Sequence, residues 1–102
     1  MQAVISEAER VRIVQLVNDT FGPNHAPSML KIMYCETGGI PTKVNHGDAK
    51  ITGYPSWGLF QINAPEFTDW DKPEVNVLRA KRKLETQGYR AWFNCAKKNQ
   101  LI

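Results

Sequence analysis

Cysteine is scarce in this chain, which has only Cys35 and Cys95 and no CxxC pair, and histidine is equally rare, with only His25 and His46. That spacing does not fit the common zinc-site patterns, so no metal is expected. The two cysteines lie far apart, and spacing alone leaves them open as buried free thiols or as a disulfide. A bridge closing so long a loop would stabilise a domain by about 4 kcal/mol on the chain-entropy model. No stretch approaches the roughly 20 apolar residues that span a bilayer, and membrane insertion is not expected. Near the N-terminus Glu7, Glu9, Arg10 and Arg12 leave no signal-peptide apolar core. Action outside a cell would then rely on a holin, a phage particle, a larger fusion or a signal already removed. Internal repeats and low-complexity segments are also absent.

What remains is the composition of an ordinary folded protein: 42% hydrophobic and 23% charged residues over 102 positions, enough for one core and one domain, 1–102. The net charge of +3 attracts polyanions weakly and selects no partner. Arg79, Lys81, Arg82 and Lys83 form a basic run, but no nucleic-acid motif accompanies it. It reads as the solvated face of a helix, no nucleic acid partner is expected, and the chain is expected to be a monomer.

Ser6 followed three residues later by Glu9 is a capping box, and it opens an expected helix from Ser6 to Phe21 with Val11, Val14, Val17 and Phe21 inward. Gly22-Pro23 stops it. A second helix is expected from about Pro27-Ser28 to Gly38-Gly39. Met29, Ile32, Met33 and Glu36 share one of its faces, so the apolar stripe ends in a carboxylate at the point where core gives way to loop. Partial desolvation there would raise the Glu36 pKa and suit it to acid catalysis. Taken alone, a glutamate at a helix end is more often an ordinary surface residue.

Gly38 to Pro55 is rich in glycine and polar residues and reads as a long loop or small irregular hairpin. Ser56-Trp57-Gly58-Leu59-Phe60-Gln61-Ile62-Asn63 then alternates as an extended segment does, with Gln61 and Asn63 on one side. Asp71 reads as the N-cap of a helix over about Pro73 to Gln87 with Val77, Ala80 and Leu84 inward, and a last short helix spans Arg90 to Lys98.

Cys35-Glu36-Thr37-Gly38-Gly39, the Ser56 to Asn63 segment, Asn76-Val77 with Ala80, and Tyr89-Arg90-Ala91-Trp92 occur in an order that resembles the lysozyme-like superfamily. The likeness covers Met29 to Lys98 and is greatest to the soluble lytic transglycosylases and resuscitation-promoting factors. It implies an α+β, predominantly helical, lysozyme-like fold with a small loop or hairpin lobe. It also implies an enzyme that cuts the glycan strands of peptidoglycan at the bacterial cell wall, without a cofactor. Carried over residue by residue, the resemblance makes Glu36 the general acid and base and Thr37 the support of its helix end. Gly58 would let the backbone approach the sugar, and Gln61 and Asn63 would bond sugar hydroxyls or the N-acetyl group. Ala91-Trp92-Phe93-Asn94-Cys95 resembles the resuscitation-promoting factors, which implies a Cys35–Cys95 disulfide.

In animal-type lysozymes the position two before the glycine of the Gly-Leu-Phe-Gln-like segment is a second catalytic aspartate. Here it is Ser56, counted with the substrate-binding residues. A retaining hydrolase needs two carboxyl groups, and Asp48 is the available substitute, although an aspartate in a glycine-rich loop more often serves a turn. A lytic transglycosylase needs only one glutamate, and the sequence suits it better than it suits a muramidase that uses water. A wall-binding module without activity, as in a phage particle, is the remaining alternative. Tyr54 and Trp57 are the expected sugar-stacking rings, while Trp70 and Trp92 are expected in the core.

Overall fold

The computed structural model describes residues 5–102; of the expected domain span, residues 1–4 lie outside the described residues. Ser6 caps the first helix, its hydroxyl accepting from the Glu9 backbone N–H at 3.1 Å, so one of the otherwise unpaired N–H groups of the first turn is satisfied. Helix α1 (Glu7–Thr37) continues from there with one break, where Gly22 adopts φ 73° and ψ 174°. That backbone conformation favours glycine. The chain becomes helical again directly after the break, upstream of the expected start at Pro27. Pro23 tolerates this because an N–H at a helix start has no intrahelical acceptor to lose.

The buried stripe of α1 runs through Ile13, Val17, Phe21, Ala26, Met29, Ile32 and Met33. Val11, expected on it, is 53% exposed, and Val14 is only partly buried. Helix geometry explains the choice: steps of four residues rotate about 40° off a face and steps of three about 60°. The series Ile13, Val17, Phe21 therefore stays under its neighbours better than Val11, Val14, Val17.

Helix α3 (Pro73–Gln87) buries Asn76, Val77 and Ala80, with Leu84 packed partly against the core. Its N-cap is Lys72, not the expected Asp71. The residue before a proline is held extended, and Lys72 has φ −84° and ψ 120°. The last segment divides into a 3-10 stretch, Gly88–Trp92, and a short α4 (Phe93–Lys98).

Between α1 and α3 lies a small antiparallel sheet of β1 (Val44–Asn45), β2 (Ser56–Trp57) and β3 (Ile62–Asn63), in that order. A single helical turn, α2 (Ala49–Thr52), stands between β1 and β2. The segment expected to be extended is folded back on itself, pairing Ser56 with Asn63 and Trp57 with Ile62. At its tip Leu59 and Phe60 are wholly buried, and the Phe60 ring lies 5.9 Å from Phe21 and 6.1 Å from Trp92. The architecture is thus α+β and mostly helical, with the hairpin tip driven into the helical core. Among the described residues no helix is long and apolar enough to cross a membrane.

Candidate active site

Glu36 is the penultimate residue of α1, and both of its neighbours are anchored. Cys35 is bridged to Cys95 on α4, with Cα atoms 5.9 Å apart. Thr37 is buried, and its hydroxyl lies 3.1 Å from the Met33 carbonyl and 2.9 Å from the Leu59 carbonyl while accepting from Gly39 N–H at 3.2 Å. The end of the helix is therefore tied to α4 on one side and to the hairpin on the other, and the Glu36 carboxyl is held where these three elements meet.

That meeting point is a cleft of about 420 Å³. Glu36, Asn45, Asp48, Ser56, Gln61 and Asn63 line it together with Ile51 and Thr52 of α2, and the stretch from Ala91 to Cys95 supplies the remaining wall. Burial pushes the Glu36 pKa up to about 7, the negative charge of Asp48 adds to the rise, and the cation of Lys43 opposes it. Near neutral pH this carboxyl can both give and accept a proton.

Asp48 is fixed by its neighbours. One carboxylate oxygen accepts from the Ser56 hydroxyl at 2.6 Å and the other from Asn45 Nδ2 at 3.2 Å. Asn63 Nδ2 donates to the Tyr54 carbonyl at 2.8 Å and to Ser56 Oγ at 3.2 Å. Gln61 Nε2 donates to the Gly58 and Lys43 carbonyls at 3.0 and 3.2 Å. A carbonyl can only accept, so the amide nitrogens must face the loop, and the amide oxygens are the ends available to a ligand.

Of the residues singled out in the sequence, Glu36, Ser56, Gln61 and Asn63 come together in the cleft, with Asp48 beside them. Gln61 and Asn63 reach it through the hairpin and not as alternate residues of one strand. Thr37, Trp57, Gly58 and Tyr54 do not line it. Gly58 has φ 71° and faces the protein interior: a Cβ there would run into Asn76 Nδ2 and lie 2.6 Å from the Trp70 carbonyl. Its small size serves internal packing, not approach to a sugar. Trp57 donates its indole N–H to the Ala64 carbonyl at 2.9 Å and packs against Trp70 at 5.4 Å. Tyr54 is exposed and contributes its backbone carbonyl to the network.

Asn76, quoted in the resemblance but assigned no role there, organises the hairpin. Wholly buried, it accepts from the Phe60 N–H at 2.9 Å and donates to the Trp57 and Trp70 carbonyls at 2.9 and 3.1 Å. An asparagine beside Val77, on the helix face that also carries Ala80, was the available signal, because a buried polar side chain needs fixed partners. Asn45 and Asn94 also line the cleft unanticipated.

A slightly larger concavity, about 460 Å³ between Leu30, Lys31, Tyr34 and Lys98, has no carboxylate in its lining. Among the described residues no cluster of three or more His, Cys, Asp or Glu is placed to hold a metal ion. No protein-family model, curated protein or solved structure matches this chain.

Proposed function

We propose that the protein is a lysozyme-like enzyme that cleaves the β-1,4 bond between N-acetylmuramic acid and N-acetylglucosamine in peptidoglycan, acting as a lytic transglycosylase. One observation carries this reading. Glu36, the residue that the Cys-Glu-Thr-Gly-Gly likeness makes the acid, lines a polar cleft with its pKa raised to about 7. Asn45, Thr52, Ser56, Gln61, Asn63 and Asn94 surround it with the amides and hydroxyls that sugar hydroxyls and N-acetyl groups require as partners. The Cys35–Cys95 bridge is consistent with the oxidising surroundings of a cell wall.

In this scheme Glu36 protonates the bridging oxygen and the bond from C1 of the muramic acid to that oxygen breaks. The N-acetyl oxygen bonds to C1 in its place. The Glu36 carboxylate then takes the proton of the 6-hydroxyl, whose oxygen displaces the acetamido oxygen and closes a 1,6-anhydro ring. Glu36 ends protonated, ready for another cycle, and water takes no part.

A second reading is favoured by the Ser56–Asp48 bond, which holds another carboxylate in the same cleft. With Asp48 as nucleophile or as the group that activates water, the protein would be a muramidase. Mass analysis of fragments released from purified walls separates the two, since anhydro ends are lighter than reducing ends by one water. Glu36→Gln should reduce cleavage toward the upper end of the roughly 10²–10⁴-fold range for loss of a general acid. If the unsubstituted protein cleaves no wall type, it is a wall-binding module without activity.

A further inference from the structure

The two halves of the Cys35–Cys95 bridge have different surroundings. Cys95 is 7% exposed and lines the Glu36 cleft. Cys35 is exposed and lines the separate concavity of about 460 Å³, a volume within the range of small-molecule sites. A molecule in that concavity meets Cys35 directly, whereas one in the cleft meets a cysteine that is almost wholly covered.

Two lysines border the same concavity. Lys31 precedes Cys35 by four residues on α1, and Lys98 follows Cys95 by three on α4, spacings that put each lysine on the helix face of its cysteine. Both are exposed, and among the described residues neither is in an ion pair. No acidic side chain lines the concavity. The bridge is thus flanked by one positive charge on each of the two helices it joins. Thiol–disulfide exchange needs an attacking thiolate and releases another, and nearby cations favour thiolates.

We infer that Cys35 is a site of thiol exchange, attacked from the Lys31–Lys98 concavity by small thiols that carry a further negative charge. The incoming thiolate bonds to Cys35 Sγ, the bond between the two cysteines breaks, and its electron pair leaves on Cys95 Sγ, which takes a proton from water. The attacking sulfur is oxidised as Cys95 is reduced, so one disulfide replaces another. A second thiolate, attacking the outer sulfur of this mixed disulfide, frees Cys35 and carries that sulfur away as a small disulfide. The lysines select for a carboxylate or sulfonate at the far end of the thiol, since the thiolate itself is common to all attackers. Exchange unties α4 from the end of α1, so chemistry at one surface releases a wall of the Glu36 cleft at another. It is independent of what that cleft cleaves.

The test treats the folded, oxidised protein with mercaptoethanesulfonate, 2-mercaptoethanol and cysteamine, which beyond the thiol are anionic, neutral and cationic. Each rate is divided by that thiol's rate on hydroxyethyl disulfide, which removes differences in thiolate fraction and nucleophilicity. The sulfonate should react about threefold to tenfold faster than the neutral thiol, as two exposed cations allow, and cysteamine more slowly than either. The preference should shrink with added salt and be lost in Lys31→Gln/Lys98→Gln. Iodoacetamide added during the reaction, followed by mass mapping of peptides, should place the mixed disulfide on Cys35 and the alkyl group on Cys95. The reverse placement, equal rates for the three thiols, or a preference that survives the double substitution overturns the inference. So does a rate that stops rising with thiol concentration and climbs in dilute urea, because the reaction would then await opening of the fold and make no use of the concavity.

Discussion

The Ser56 hydroxyl donates to the Asp48 carboxylate at 2.6 Å, and this bond fixes in the Glu36 cleft a negative charge that the Ser56 position does not itself provide. Asp48 lies in the loop, eight residues before its partner, and its charge helps to keep the proton on Glu36, second to burial.

Asp48→Asn should therefore lower the Glu36 pKa. The limb of the pH–rate profile on which activity falls as Glu36 ionises, centred near 7 in the unsubstituted protein, should move to lower pH. A transglycosylase would remain active below that limb. A two-carboxylate muramidase would lose activity at every pH. A profile of kcat/KM against pH on soluble wall fragments distinguishes these, and an unmoved limb would mean that Asp48 does not act on Glu36.

Glu36 should also set a pH dependence of stability. Its folded pKa of about 7 lies above the ordinary 4.5, so its contribution is fully retained below the unfolded value and is lost as pH rises from about 4.5 through about 7. Glu36→Gln should thus melt higher than the unsubstituted protein at pH 8 and no higher at pH 4. The gain at pH 8, allowing for solvent screening of a partly exposed group, should be on the order of 2 kcal/mol. Parallel melts at the two pH values are sufficient, and equal differences at both would remove the effect from Glu36.

Reduction of the Cys35–Cys95 bridge should cost about 4 kcal/mol through freedom regained by the unfolded chain, a large share of the stability of a small domain. Because Cys35 precedes Glu36 and Cys95 lines the cleft, activity should fall at temperatures where the reduced protein is still folded. Circular dichroism and cleavage assays at matched temperatures, with and without reductant, measure both. Loss of activity only in step with unfolding would restrict the bridge to a stabilising role.

Asn76 and Gly58 offer a test of the hairpin's support. Asn76→Ala deprives the Phe60 N–H and two carbonyls of their partner and should cost on the order of 3 kcal/mol. Gly58→Ala forces a Cβ toward Asn76 and the Trp70 carbonyl at φ 71° and should cost a similar amount, about 3 kcal/mol. Combined, the two should cost less than their sum, since each disrupts the same contact. Denaturant titrations of the three variants decide this, and full additivity would show that the contact is not shared.

The long helices were legible because their signals are local: the Ser6 cap, the stripe from Met29 to Met33, and the glycines at 22, 38 and 88 each act within a turn or two, whereas the single turn α2 within the expected loop was not. The place of Glu36 at the end of an apolar stripe was legible for the same reason, whereas the stripe alone did not single it out from an ordinary surface residue and its proposed role came from the resemblance. The hairpin was not, because alternation over Ser56 to Asn63 describes a straight strand as well as a folded one. What folds it is a distant residue, Asn76, together with the left-handed backbone at Gly58 and Gln61. The aromatic ring exposed in the cleft was missed likewise. Tyr54 and Trp57 are near the motif in sequence, whereas Phe93 reaches the cleft only because α4 is bridged to the end of α1.

Gln61 and Asn63 line the same cleft but hold the hairpin to different degrees, and substitution should separate their roles. Asn63 Nδ2 is bonded to Tyr54, Pro55 and Ser56, so Asn63→Ala should lower stability by about 1 kcal/mol as well as weaken turnover by removing the amide oxygen. Gln61 has φ 48°, a conformation that costs most residues energy but glycine little. Gln61→Gly relieves the backbone while deleting the two side-chain bonds to Lys43 and Gly58. These effects oppose each other, so stability should stay within about 1 kcal/mol of the unsubstituted protein while kcat/KM on wall fragments falls. The pair thus distinguishes loss of the cleft from loss of the loop, using thermal melts alongside turnover. Full activity in Gln61→Gly would remove Gln61 from the substrate-binding wall and leave Asn63 as the amide that faces the sugar.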